Sequence, residues 1–175
     1  MKKIVVYGCD NSGKTTAVAE IQKILTMNKV SCETVHSCGP KPAKEQVEFM
    51  VKELQTNPDS PRVKVFDRFP AIEELVYGPI VRNKNVLKNY SVTCEVLMDQ
   101  IDLFIFCCPD YETISNWGDR EQMKGVKENT ESIILAYNNI IDVYPSMKGK
   151  LEYYDWKKKD NISLTKILKK REYIK

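Results

Sequence analysis

One octapeptide near the start of the chain carries recognisable chemistry. Gly8-Cys9-Asp10-Asn11-Ser12-Gly13-Lys14-Thr15 satisfies the pattern G-x-x-x-x-G-K-[S/T]. Its two glycines let the backbone turn tightly enough for successive N–H groups to face one phosphate. A helix starting at its end adds a positive N-terminal pole. In this reading Gly8, Asn11, Ser12, Gly13, Lys14, Thr15 and Thr16 cradle a nucleotide. Lys14 reaches the β- and γ-phosphates, and the Thr15 hydroxyl is a ligand for Mg²⁺. The bland alternative is a plain turn and helix cap. Against it stands the context: the β-branched run Ile4-Val5-Val6 precedes the loop and an apolar face at helical spacing follows it.

A second cluster follows another β-branched run. In Val63-Lys64-Val65-Phe66-Asp67-Arg68-Phe69-Pro70 an acid and a guanidinium stand just past a strand. If that strand neighbours the first, Asp67 faces the phosphate loop, where it either holds a Mg²⁺-bound water or orients the attacking oxygen. Arg68 then grips an anion. The alternative is a surface ion pair at a strand end. Other chemistries lack their parts. His36 is the only histidine, so a Ser-His-Asp apparatus has one candidate base and nothing to pair it with. The six cysteines form no Cys-x-x-Cys pair and read as reduced thiols. Cys32, His36 and Cys38 are close in sequence, but no second half-site completes a metal centre. Asn83-Lys84-Asn85-Val86 lacks the acid of a guanine-reading motif.

The elements that position these residues follow from periodicity. Strands are expected at 3–7, 31–36, 62–67, 102–108 and 150–155. Helices are expected at 14–28, 42–55, 71–77, 90–100, 126–143 and 161–173. Ala17, Val18, Ile21, Ile24 and Leu25 form the inward stripe of the first helix, and Val47, Met50, Val51 and Leu54 that of the second. Residues 57–61 read as a loop. The run 102–108 is apolar throughout and reads as a strand buried on both faces. Strands alternating with helices imply an α/β fold: one three-layer domain over residues 1–175, with a five-stranded, mostly parallel sheet flanked by helices. In such folds ligands bind beyond the carboxyl ends of the strands.

Residues Tyr7 to Thr16 resemble the phosphate loop of thymidylate kinases, which usually reads Glu-Gly-x-Asp-x-x-Gly-Lys-[Ser/Thr]-Thr. Asp67-Arg68-Phe69 resembles that family's Asp-Arg-[Tyr/His/Phe] motif. Residues 67–82, Gln100-Ile101-Asp102-Leu103 and Arg120 to Val126 are similar to the small thymidylate-kinase-like proteins of large phages. The resemblance implies a P-loop kinase fold with a lid at about 117–127. It also implies that Arg68 holds the acceptor's phosphate, that Asp10 lies near the acceptor sugar, and that Phe69 and Tyr77 wall the base pocket. Arg120 and Lys124 would sit on the lid, where a mobile cation stabilises the transferring phosphoryl group. The sequence departs from the family at Tyr7, which replaces Glu, and at Glu73, a substrate-site position where relatives often carry Ser. The loop 37–42 also lacks the arginine of the cellular enzymes.

The leading functional expectation is ATP- and Mg²⁺-dependent phosphoryl transfer to a deoxynucleoside monophosphate, dTMP or a modified pyrimidine relative. Lys14, Asp67, Arg68 and Arg120 are then the catalytic set, with Thr15 and Asp67 at the metal. The alternatives are a hydroxyl-directed kinase using Asp67 or Glu73 as base, on a nucleoside or on DNA, and a nucleotide-dependent switch. The expected partner is a small nucleotide. The basic tail (Lys157, Lys158, Lys159, Lys166, Lys169, Lys170, Arg171) reads as a solvated face, with nucleic-acid contact the less favoured reading. Trp156 either stacks on adenine or anchors the last helix. No membrane segment is expected, the compartment is the cytoplasm, and homodimerisation is left open.

Overall fold

Each strand of the sheet alternates its side chains between two helical layers, and that alternation sets the architecture. Along β1 (Lys2–Tyr7), Ile4 and Val6 face one layer while Val5 and Tyr7 face the other, all at 0% exposure. The computed structural model describes residues 1–56, 59–116, 124–158 and 163–175. The other strands are β2 (Cys32–His36), β3 (Val63–Asp67), β4 (Leu103–Cys107) and β5 (Leu151–Tyr154). All pairings are parallel and the order is β2-β3-β1-β4-β5. The sheet is thus wholly parallel, as suits a sheet covered on both faces.

Two helices, α1 (Lys14–Met27) and, near the C-terminus, α8 (Leu164–Lys170), cover the Ile4/Val6 face. The Val5/Tyr7 face is covered by α2 (Ala43–Leu54), α3 (Pro70–Val81), α4 (Ser91–Asp99) and α6 (Thr130–Asn138). Two shorter helices, α5 (Tyr111–Ser115) and α7 (Ile140–Val143), complete the set among the described residues. None of the described helices is long and apolar enough to cross a membrane.

The register brings the expected site residues to one edge. His36 pairs with Asp67, Asp67 with Val6, and Tyr7 with Phe106. The phosphate loop, the Asp67-Arg68 pair and the end of β4 therefore leave the sheet side by side.

The differences from the sequence reading have local causes. Proline 79 does not end α3, because it removes only one N–H; the Arg82 N–H caps the carbonyls of Tyr77 and Gly78 and the helix runs to Val81. The expected helix 126–143 starts at Thr130 and breaks at Asn139, at an asparagine pair that favours caps over helix interior. In α2 the inward face carries Gln46, Met50 and Leu54, while Val51 is 40% exposed. Helix α5 was not expected; Asp110 nucleates it by accepting the N–H and the hydroxyl of Thr113 at 2.7 and 2.5 Å.

Phe69, expected at the pocket wall, is 0% exposed and packs edge-on against Phe66 at 5.5 Å, within the core. Phe69→Ala should lower unfolding free energy by about 3–5 kcal/mol in urea titrations, the range for deleting a buried ring.

Candidate active site

The loop from Gly8 to Lys14 is held by close approach. Gly8 has φ 145°, and a Cβ there would lie 2.4 Å from the Cys107 carbonyl oxygen and 2.9 Å from Ser12 Oγ. Gly13 has φ 86°, and its Cβ would lie 2.7 Å from Cδ1 of Trp156. Both positions thus need glycine for conformation and for space. Asn11, itself at φ 65°, donates through Nδ2 to the Thr113 and Asn116 carbonyls at 2.9 and 2.8 Å, tying the loop to α5. Ser12 Oγ is buried without a hydrogen-bond partner. Lys14, 5% exposed, bends back onto the Cys9 carbonyl and lies 3.8 Å from Asp10. Burial, and then the Arg68 charge, push its pKa below the ordinary lysine value, against the pull of Asp10. Thr15 and Thr16 follow on the exposed first turn of α1.

Across from the loop stands Arg68, at φ 69°, with its N–H bonded to the Val6 carbonyl. Its guanidinium donates to Asp10 Oδ1 at 2.6 Å and to Glu73 Oε2 at 3.1 Å. Burial works against its charge, but Glu73 and Asp10 outweigh it and hold it firmly protonated. Tyr137 donates to Glu73 Oε1 at 2.7 Å and completes the chain Asp10–Arg68–Glu73–Tyr137. Burial and then the Glu73 charge raise the Tyr137 pKa, so this hydroxyl stays a donor. Tyr7, where the resembled family has Glu, is buried and stacked on Phe106 at 5.0 Å.

Asp67 is 8% exposed. Its Oδ2 lies 3.3 Å from His36 Nδ1, while Oδ1 is buried without a hydrogen-bond partner. No group of three or more His, Cys, Asp or Glu among the described residues forms a metal cage. An ion here would have to draw most of its ligands from phosphate oxygens and water, a donor set that Mg²⁺ accepts. The hard, unpartnered Asp67 oxygen and the Thr15 hydroxyl fit that role.

Beside Arg68 opens a cavity of about 300 Å³. The loop after β2 (His36, Ser37, Gly39, Pro40) forms one side, and Asp67 and Arg68 the floor. Helix α3 forms the other side through Pro70, Glu73, Glu74 and Tyr77, with Arg82 at its end; Gln46 enters from α2. Asp67, Arg68, Glu73 and Tyr77 thus meet in one place as expected. Asp10 joins them through Arg68, and Phe69 does not. Gln46, Glu74 and Arg82 were missed: a glutamine inside an apolar stripe and a Glu/Arg pair eight residues apart carry no motif. Lys124 is exposed on a turn whose Gly125 faces Val81 at the end of α3. Arg120 and Trp117, and with them most of the expected lid, lie outside the described residues. Trp156 is no core anchor: it is 49% exposed and rests on Gly13.

No protein-family model matches the sequence, and no curated protein matches it. Solved structures do share the fold. The YorR protein of Bacillus subtilis, in complex with phosphorylated GDP, aligns with TM-score 0.59 and 19% identity over 89% of this chain and 85% of its own. Thymidylate kinase from Candida albicans aligns with TM-score 0.57 and 15% identity over 98% and 92%. Deoxyadenosine kinase from M. mycoides, with bound dATP, aligns with TM-score 0.57 and 16% identity over 97% and 99%. The chain therefore has the fold of the P-loop nucleotide kinases.

Gly8→Ala should cost about 3 kcal/mol of stability, because the methyl group meets a backbone carbonyl and the φ is strained. Thermal unfolding of the variant checks this. In a Trp117→Phe background, nucleotide addition should change Trp156 emission, since the indole touches the loop; an unchanged spectrum at saturating nucleotide would contradict that contact.

Proposed function

We propose that this protein transfers the γ-phosphoryl group of ATP to a deoxynucleoside monophosphate, dTMP or a modified pyrimidine relative, giving the diphosphate. The observation that carries the reading is the position of Arg68. Its guanidinium bonds a phosphate-loop residue, Asp10, and also lines the cavity beside that loop. A cation shared by two adjoining compartments suits a reaction that brings two anions together.

In this reading the residues take the following roles. Gly8 to Thr16 hold the donor's phosphates, with Lys14 leaving the Cys9 carbonyl to meet them. Arg68 exchanges one carboxylate partner for the acceptor's phosphate, which is largely ionised at neutral pH and needs no strong base. Asp10 and Glu73 keep the guanidinium pointed at the gap, so its orientation is fixed before the acceptor arrives. Thr15 and Asp67 would hold Mg²⁺, which would supply charge neutralisation. Arg120 and Lys124 close from the lid and exclude water. Trp156 gives the adenine an apolar face beside the loop.

A second reading rests on a specific observation. Arg68 and Arg82, the two arginines of the cavity wall, are each bonded to a carboxylate, and Asp67 presents a free oxygen. That balance also suits an uncharged acceptor, whose hydroxyl would give its proton to Asp67 or Glu73.

Labelled ATP with Mg²⁺ and a panel of nucleoside monophosphates, nucleosides and DNA separates the two. Label should pass to a pyrimidine deoxynucleoside monophosphate, and Lys14→Ala should lower the rate by about 10³-fold or more, the scale for losing transition-state charge stabilisation. Label on nucleosides or DNA alone would establish the second reading instead.

A further inference from the structure

The far wall of the cavity carries a pair that the roles above leave unused. Arg82 follows the last residue of α3 and donates through Nη2 to Glu74 Oε2. Glu74 is 2% exposed, and its other oxygen accepts the Val86 N–H at 3.2 Å. A buried carboxylate thus fixes the guanidinium from behind, while Arg82 lines the cavity in front. Glu74 also binds the turn after α3 to the helix, which orients the arginine further.

Helix α3 acts as a ruler between the two arginines. Its 12 residues span about 18 Å at 1.5 Å per residue. Arg68 stands before its start, at the phosphate loop, and Arg82 after its end. Both arginines line the same cavity of about 300 Å³. Between them Tyr77, 2% exposed, has a buried hydroxyl without a hydrogen-bond partner. Opposite, Gln46 is 1% exposed; its Nε2 is anchored on the Lys41 carbonyl at 2.7 Å, which leaves its Oε1 as the acceptor.

We infer that Arg82, oriented by Glu74, is the specificity-determining residue for the acceptor's base, and that with Gln46 it selects a base whose edge carries a carbonyl beside an N–H. The proposal rests on the functional reading above only in placing the acceptor's phosphate at Arg68. A guanidinium has donors and no acceptor. It matches the C4 carbonyl of uracil or thymine and opposes the C4 amino group of cytosine, donor against donor. Gln46 Oε1 matches the adjacent N3–H and opposes the bare N3 of cytosine. A site built to hydrogen-bond one pattern leaves its buried polar groups unpaired with the other, and that asymmetry is what gives large discrimination.

The test compares dUMP with dCMP, which differ at this edge alone. The full chain is assayed for kcat/KM with ATP and Mg²⁺, and for binding of each monophosphate by calorimetry without ATP. The wild type should favour dUMP by about 100-fold or more, a ratio within reach of such polar readout. The double variant Glu74→Gln/Arg82→Gln removes both charges of the pair together, so that buried Glu74 is not left unpaired, and offers an amide that serves either base. Its preference should collapse to less than about 10-fold, mostly through KM and in the binding data as well. Arg82→Lys, which keeps the charge and a donor, should retain an intermediate preference and covers the case in which the double variant does not fold. A wild type that treats the two alike overturns the inference. So does a folded double variant that loses both acceptors equally, because Arg82 would then only brace the end of α3. If no monophosphate is phosphorylated but calorimetry keeps the dUMP preference, the transfer reading fails and the base readout stands.

Discussion

Arg68 is bonded at once to the loop that follows β1 and to the helix that follows β3, and the site takes its shape from that bridge. Its backbone is left-handed, its N–H returns to Val6, and its guanidinium spans Asp10 and Glu73. An L-residue at such a φ costs about 1–3 kcal/mol and persists only where its surroundings over-determine it. Here they do so from three sides. The carboxylates are mostly buried, so neither tolerates losing the arginine, and Tyr137 fixes the further one from α6, the neighbouring helix of the same layer. The result is a cation aimed before any ligand arrives.

The other side of the loop is governed by contact rather than charge. Gly8 leaves no room for a methyl group against Cys107, and Gly13 leaves none beneath Trp156. The amide-lined turn is therefore clamped between the end of β4 and the segment after β5, with Asn11 tying its middle to α5. Polar groups on this surface wait for a partner: Ser12 Oγ and Asp67 Oδ1 are both buried without one. Buried polar atoms ordinarily find a partner, so each of these two orphans calls for an explanation, and only Asp67 lines the cavity.

Much of this was legible before any coordinates. The phosphate loop reads directly because its residue types and spacing are both constrained, and β1, β3 and β4 read because each is a short run rich in β-branched or aromatic residues ending at a charge or a turn. The arrangement of Asp67 and Arg68 beside the loop follows once their strand neighbours the first. Less legible was everything that depends on which way a helix is turned. Gln46 sits on the buried face of α2 and Val51 outside, since the cavity needs a polar group there and hydrophobicity alone rotates the stripe the wrong way. The family resemblance implied a place for Phe69 in the pocket wall, yet after Arg68 the chain carries it into the core against Phe66. Glu74 and Arg82 are ordinary helix charges in sequence and become a pair only when α3 continues past Pro79.

The order of the strands has a consequence for how the molecule is made. The central strand, β1, is synthesised before the other described strands, and its neighbours are β3 and β4. Among the described strands none can pair with β1 until Val63–Asp67 has emerged, an interval of roughly 3–12 s at translation rates of 5–20 residues per second. During that time a nearly continuous apolar strand stands with both edges open. When β3 arrives it joins β1 and β2 in one step and brings Arg68 to Asp10. Cys107 and Trp156, which close the phosphate loop against β4 and β5, come only later. The half of the site that holds Arg68 thus has its strands available once β3 has emerged, whereas the phosphate loop lacks its full set of neighbours until the segment after β5 has followed.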